Sequence, residues 1–158
     1  MLMMKYKEPI YWHIRRLVVS HDDAQDASQE TFVRIYRSFN QYRGDCSLRS
    51  WIYRIATNEA LRLISKRKQE EVSLESDSTG VSLIPADNYI DFDDKVAVKL
   101  QKAILSHPPK QQLAFNMRNN DELGFDEIAK VADSTPASIK ASYHVAKEKI
   151  IKYMNSND

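Results

Sequence analysis

The sequence predicts an all-α protein, built as two small helical domains joined by a flexible acidic linker. Three observations carry that prediction. Apolar residues recur at helical spacing in two blocks, and no run alternates as a strand does. Between the blocks the periodicity vanishes in a stretch rich in Asp, Glu and Ser. Charge divides the chain in the same places. Residues 1–68 hold 13 Lys/Arg against 7 Asp/Glu, residues 69–94 hold 8 acidic residues and no basic one, and residues 95–158 hold 10 basic and 7 acidic. The formal net charge of +1 conceals this pattern. The expected boundaries are a domain at 1–68, a linker at 69–94 and a domain at 95–158.

The elements follow in order. Ile10, Ile14, Leu17 and Val18 define one face of a first helix that halts at Ser20-His21-Asp22. Asp22 is expected to cap the second helix, with Asp23 in its first turn to suit the helix dipole. Ala24, Ala27, Phe32, Ile35 and Phe39 form that helix's inner face. Gly44 then breaks the pattern, and Ser47 caps a third helix expected to end near residue 65. Leu48, Trp51, Ile52, Ile55 and Ala56 turn inward there. The linker holds Gly80, Pro85 and two apolar patches, Val81, Leu83, Ile84 and Tyr89, Ile90, Phe92. Helical spacing resumes over 96–105, 110–117, 125–132 and 135–154. The last helix opens on Thr135 as a side-chain cap and Pro136 at the first helical position.

Several function classes fall away. Cys46 is the only cysteine, so no intramolecular disulfide can form and a reducing compartment is expected. The opening MLMMKYKEPI is interrupted by Lys5, Lys7 and Glu8, unlike a signal peptide. No segment approaches the roughly 20 apolar residues of a membrane span. A soluble, cytoplasmic protein without membrane insertion is expected. His21-Asp22-Asp23 offers a fragment of a metal-dependent phosphohydrolase site, yet His13, His107 and His144 stand singly, without ligand spacing. Cys46 has no evident histidine to activate it, and there is no phosphate-binding glycine loop. No catalysis, no metal and no cofactor are expected.

The remaining signals concern nucleic acid. In GFDEIAKVADSTPASIKASYHVAKEKI a short helix, a tight turn at Asp133-Ser134 and a longer helix have the layout of a helix-turn-helix. The start of the second helix would present Ala137, Ser138, Lys140 and Ala141 to a major groove, with His144 and Lys147 further along. Two amphipathic helices joined by a turn also occur as a plain packing unit. On the third helix, Arg54, Asn58 and Arg62 are four apart and share a face, an amide between two guanidiniums. The loop Tyr42-Arg43-Gly44-Asp45 precedes that helix, and with it can form a pocket for an unstacked base. The alternative is a solvated basic face beside an ordinary turn glycine. Asp22, Asp26, Gln29 and Glu30 form an acidic face on the second helix, which would repel nucleic acid.

DDAQDASQETF (residues 22–32) and YRGDCSLRSWIYRIATN (residues 42–58) resemble the core of extracytoplasmic function (ECF, group IV) sigma factors of the sigma-70 family, bacterial promoter-specificity subunits of RNA polymerase. EIAKVADSTPASIK (residues 127–140) is similar to the same family's second helical domain, without a gap. Order and spacing agree across nearly the whole chain outside the linker. The resemblance implies a region 2 domain at 1–68, a linker, and a region 4 domain at 95–158. It implies that Asp26, Gln29 and Glu30 dock on the clamp helices of the polymerase β′ subunit, the β subunit being a further contact. It implies that Tyr42, Arg43, Gly44 and Asp45 capture a flipped minus-ten base in a pocket shared with Asn58, flanked by Arg54 and Arg62. Ala137, Ser138, Lys140, Ala141 and His144 would read the minus-thirty-five element of promoter DNA. An anti-sigma factor is implied as a further partner. The chain departs from the family at Asp133, where glycine is usual, and at Ser142 and Val145, where arginines are usual. A helix-turn-helix regulator acting without polymerase is the alternative.

Overall fold

The computed structural model describes residues 2–74 and 94–156 of the 158-residue chain. Among the described residues all regular structure is helical: α1 (Leu2–Val18), α2 (His21–Ser38), α3 (Leu48–Leu74), α4 (Lys95–Leu105), α5 (Pro109–Asn119), α6 (Phe125–Val131) and α7 (Pro136–Met154). A single 3₁₀ turn, Phe39–Gln41, follows α2.

The first three helices pack mutually around Ile10, Ile14, Ala24, Ile52, Ala56 and Ala60, all fully buried. Small residues at Ala24, Ala56 and Ala60 let the helices approach closely, while the isoleucines fill the space between. The connection from α1 to α2 is only Val19-Ser20. Val19 has φ +70°, a left-handed conformation costing an L-residue about 1–2 kcal/mol. Its side chain is buried at 6 % exposure, which returns about 1.5–3 kcal/mol, so burial outweighs the strain.

Three sequence expectations are corrected here. Ser20, not Asp22, caps α2: the Ser20 hydroxyl accepts from the Asp23 N–H, and Asp22 lies inside the first turn. Phe39 is 48 % exposed rather than part of the inner face, because α2 has given way to the 3₁₀ turn by that point. Finally, α3 does not stop near residue 65 but continues to Leu74, so the helix runs into the stretch expected to be linker. Residues 65–70 are exposed and hold no apolar stripe, yet Lys, Arg, Gln and Glu are strong helix formers. The extension is also pinned: Arg67 pairs with Asp23 at 2.8 Å and with Glu70 at 3.3 Å. Both apolar patches expected in the linker lie outside the described residues.

In the second half α7 is the central helix, packed by α4, α5 and α6. Leu113, Ala114, Met117, Leu123, Ile128 and Ile139 are buried at one end, Ala103, Ile104, Ala146 and Ile150 at the other. Tyr143 stacks on Phe115 with centroids 6.1 Å apart and meets Phe125 edge-on at 5.6 Å. The two halves also touch. α6 lies against α3 and α5 against α1, and one cluster of buried side chains runs from Tyr6 and Ile10 through to Met117 and Ile128.

Candidate nucleic-acid interface

The loop before α3 is a braced object. Gly44 adopts φ +80°, and a Cβ built there would meet nothing within 4 Å, so the glycine answers a backbone requirement rather than a lack of space. Tyr42 closes the loop from one side. Its hydroxyl donates to the Cys46 carbonyl at 2.7 Å, and its ring leans on Trp51 with centroids 5.3 Å apart. Trp51 in turn meets Phe39 edge-on at 6.3 Å, which gives that exposed ring a role the helical spacing did not suggest. Ser47 caps α3, its hydroxyl accepting from the Ser50 N–H at 3.1 Å. Arg43, Gly44 and Asp45 are left exposed at the rim.

Along α3 the face expected from the sequence is present and exposed: Arg54, Asn58 and Arg62. Its cations are unequal. Arg62 pairs with Glu59 at 2.9 Å, and Arg34 from α2 pairs with Glu59 as well. Glu59 is only 6 % exposed and bridges the two helices. Sequence reasoning missed it, although the signal was there: Glu59 continues the Ile52–Ala56 register of the inward face. Arg34 also reaches Glu30 at 3.4 Å, so the acidic face of α2 is partly neutralised at that residue, while Asp26 and Gln29 are exposed.

In the second half the turn between α6 and α7 has the expected geometry. Asp133 sits at φ +52°, the left-handed position where glycine has no steric cost, and Ser134 N–H donates to the Ala129 carbonyl at 2.9 Å. Thr135 caps α7 by accepting from Ser138 N–H at 3.2 Å. Ala137, Lys140, Ala141 and His144 are exposed, whereas Ser138 is half-buried and its hydroxyl accepts from Lys110 of α5. Lys110 is a cation beside this surface that the helix-turn-helix pattern did not single out.

His21 is not placed as a ligand. It shares a hydrogen bond with the Tyr11 hydroxyl at 2.5 Å, and no group of three His, Cys, Asp or Glu side chains could hold a metal among the described residues.

A second polar cluster joins the two halves. Asp121, in the loop between α5 and α6, is inserted between α1 and α3 with its side chain 6 % exposed. It accepts from the Tyr53 hydroxyl at 3.0 Å and lies 3.7 Å from Arg16 and 3.7 Å from His13. Arg49 donates to the Asp121 backbone carbonyl at 2.7 Å and approaches Glu127 of α6 at 3.9 Å. Burial pushes the Asp121 carboxyl up to about 6, against the pull of Arg16, Tyr53 and Arg49. Burial, with Arg16 nearby, holds the His13 imidazole down to about 3. His13 is therefore neutral near pH 7, and its other nitrogen is 2.8 Å from the Thr57 hydroxyl. Burial and the Asp121 charge raise the Tyr53 phenol, keeping it a donor.

Residues 2–70 match the family model for sigma-70 region 2, which covers α1, α2, the braced loop and most of α3. The chain is 29 % identical to the ECF RNA polymerase sigma factor SigW of Bacillus subtilis, covering 94 % of this chain and 84 % of that protein. It is 26 % identical to the RNA polymerase sigma-H factor of Pseudomonas aeruginosa, covering 96 % and 83 %. The chain is similar to sigma-70 family proteins, through the region 2 match in its first half and through these relatives over most of its length. Its likeness is to ECF members over nearly the full length of this chain. The fold agrees. The sigma factor RpoE in complex with the anti-sigma factor NepR from Bartonella quintana superposes with a TM-score of 0.77 at 17 % identity, covering 99 % of this chain and 96 % of that one. CnrH in complex with the cytosolic domain of CnrY gives 0.73 at 15 % identity, covering 99 % and 87 %. No described helix is long and apolar enough to cross a membrane.

Proposed function

We propose that this chain is a group IV sigma factor that binds core RNA polymerase in the cytoplasm without catalysing a reaction, and carries it to promoters with two recognition elements. Residues 1–68 act as region 2 and residues 95–158 as region 4. Asp26, Gln29 and Glu30 dock on the β′ clamp helices. The loop of Tyr42, Arg43, Gly44 and Asp45, with Arg54, Asn58 and Arg62, captures a flipped minus-ten base. Ala137, Ser138, Lys140, Ala141 and His144 face the minus-thirty-five element.

The observation that carries this reading is the braced loop. A pocket that extracts a base from a stack must hold its shape while unstacking costs a few kcal/mol. Tyr42, Cys46, Trp51 and Ser47 supply that rigidity. With its ring on Trp51, Tyr42 is the wall of the pocket. The exposed Arg43 and Asp45 are then the groups free to meet DNA. An anti-sigma partner fits the reading too, since one solved structure of this fold is named as a complex with an anti-sigma factor.

The test is co-elution of the chain with bacterial core polymerase in gel filtration, beside Asp26→Arg. Binding by the wild type and its loss in the variant supports the assignment. A folded wild type that fails to co-elute at low salt sinks it and favours a regulator that binds duplex DNA alone.

A further inference from the structure

The contact between the two halves is centred on one side chain. Asp121 is the only residue of its loop that reaches into both α1 and α3 among the described contacts, and it does so with its side chain and its backbone together. The groups facing it are His13 and Arg16 from α1 and Arg49 and Tyr53 from α3, with Glu127 of α6 held by Arg49. We propose that Asp121 is the peg of an interdomain latch that keeps the free chain closed and slows its capture by polymerase.

The latch itself stands on geometry alone; its consequence rests on the sigma reading. A compact 158-residue chain has a radius of gyration of about 15 Å, a sphere roughly 40 Å across. Elements named minus-ten and minus-thirty-five lie about 25 base pairs apart, which at 3.4 Å per pair is about 85 Å of duplex. The closed chain cannot meet both at once. Opening must separate α6 from α3 and α5 from α1, and the Asp121 cluster is the directional part of that contact. Apolar contacts around it are tolerant of sliding, whereas a carboxylate held by Tyr53 and a carbonyl held by Arg49 fix one register.

The peg can be tested without disturbing either recognition surface. In a Cys46→Ser background, Lys7→Cys and Lys149→Cys place dyes on exposed positions of α1 and α7, away from the docking face of α2. Energy transfer between them then reports closure, and stopped-flow mixing with core polymerase reports capture. Asp121→Lys sets a cation against Arg16 and Arg49. It is expected to lower the closed-to-open ratio by about tenfold or more and to quicken polymerase association. Adding Arg16→Glu to Asp121→Lys is expected to restore closure, which a merely misfolded chain would not do. Unchanged energy transfer in Asp121→Lys overturns the latch. An opened chain with unchanged association rate overturns its restraining role. If neither chain binds polymerase, the sigma reading fails while the energy-transfer arm still decides the latch.

Discussion

Replacing Asp121 by asparagine separates two properties of the latch that charge reversal confounds, its shape and its charge. The carboxyl is raised from 3.8 to about 6, so ionising it in the closed chain at pH 7.5 costs about 3 kcal/mol relative to ionising it in water. Arg16 at 3.7 Å does not recover that cost, because burial of the carboxyl outweighs its attraction. Asparagine keeps the acceptor for the Tyr53 hydroxyl and leaves the Arg49 bond to the backbone carbonyl intact. Asp121→Asn is therefore expected to close at least as tightly as wild type at pH 7.5, by up to about 3 kcal/mol. The pH dependence follows with a definite sign. A raised carboxyl binds its proton more readily in the closed state, so wild-type closure strengthens as pH falls through about 6 towards 4 and weakens as pH rises through 6. The asparagine variant should lack that strengthening, leaving His13 as the one shifted group of the socket that still responds to acid. His13 works the other way on global unfolding, because a histidine held down to about 3 favours the unfolded chain as pH falls below 6.5. Its shift is the larger one, so thermal stability should drop in acid even while interdomain energy transfer rises. An asparagine variant that opens at pH 7.5, or one that keeps the wild-type pH profile of energy transfer, would refute this reasoning.

Three further predictions concern single sites. Gly44→Ala meets no steric obstacle but must hold φ +80°, so about 1–2 kcal/mol of destabilisation is expected, read as a lower melting temperature, with a larger loss of promoter opening in permanganate footprinting. Asp133→Gly relieves the left-handed strain at φ +52° and should raise stability by up to about 1 kcal/mol in urea unfolding, with the denaturant slope unchanged. Glu59→Ala removes the acid that gathers Arg34 and Arg62 and should cost about 2–3 kcal/mol of stability. Because it also frees two guanidiniums, its affinity for single-stranded DNA at low salt should increase, and an unchanged affinity would show that Arg62 was never restrained.

The parts legible in the sequence were those written in local register. Each helix announced itself by an apolar stripe, and the α6–α7 turn by Asp133-Ser134 with Thr135-Pro136 behind it. The braced loop was half legible: Gly44 and Trp51 stood out, but nothing in spacing says that Tyr42 turns its ring onto Trp51. Where periodicity failed as a guide, its physical basis had gone. Beyond residue 65 α3 leaves the core, so no face needs to be apolar, and only helix propensity and the Arg67 pairing to Asp23 maintain the helix. The latch was illegible for a different reason. Asp121 sits in a polar loop and contacts residues 68 to 108 positions earlier, each of which reads locally as an ordinary helix residue. His13 in particular fell on the inward register of α1 next to Ile14, where a lone histidine is most simply a satisfied core residue, and its bond to Thr57 makes it one. What the local pattern cannot encode is that the same ring also forms one wall of the socket that receives the other domain. Packing between domains is fixed by such long-range polar coincidences, and a carboxylate kept at a net cost inside one is better explained by the register it imposes than by the stability it adds.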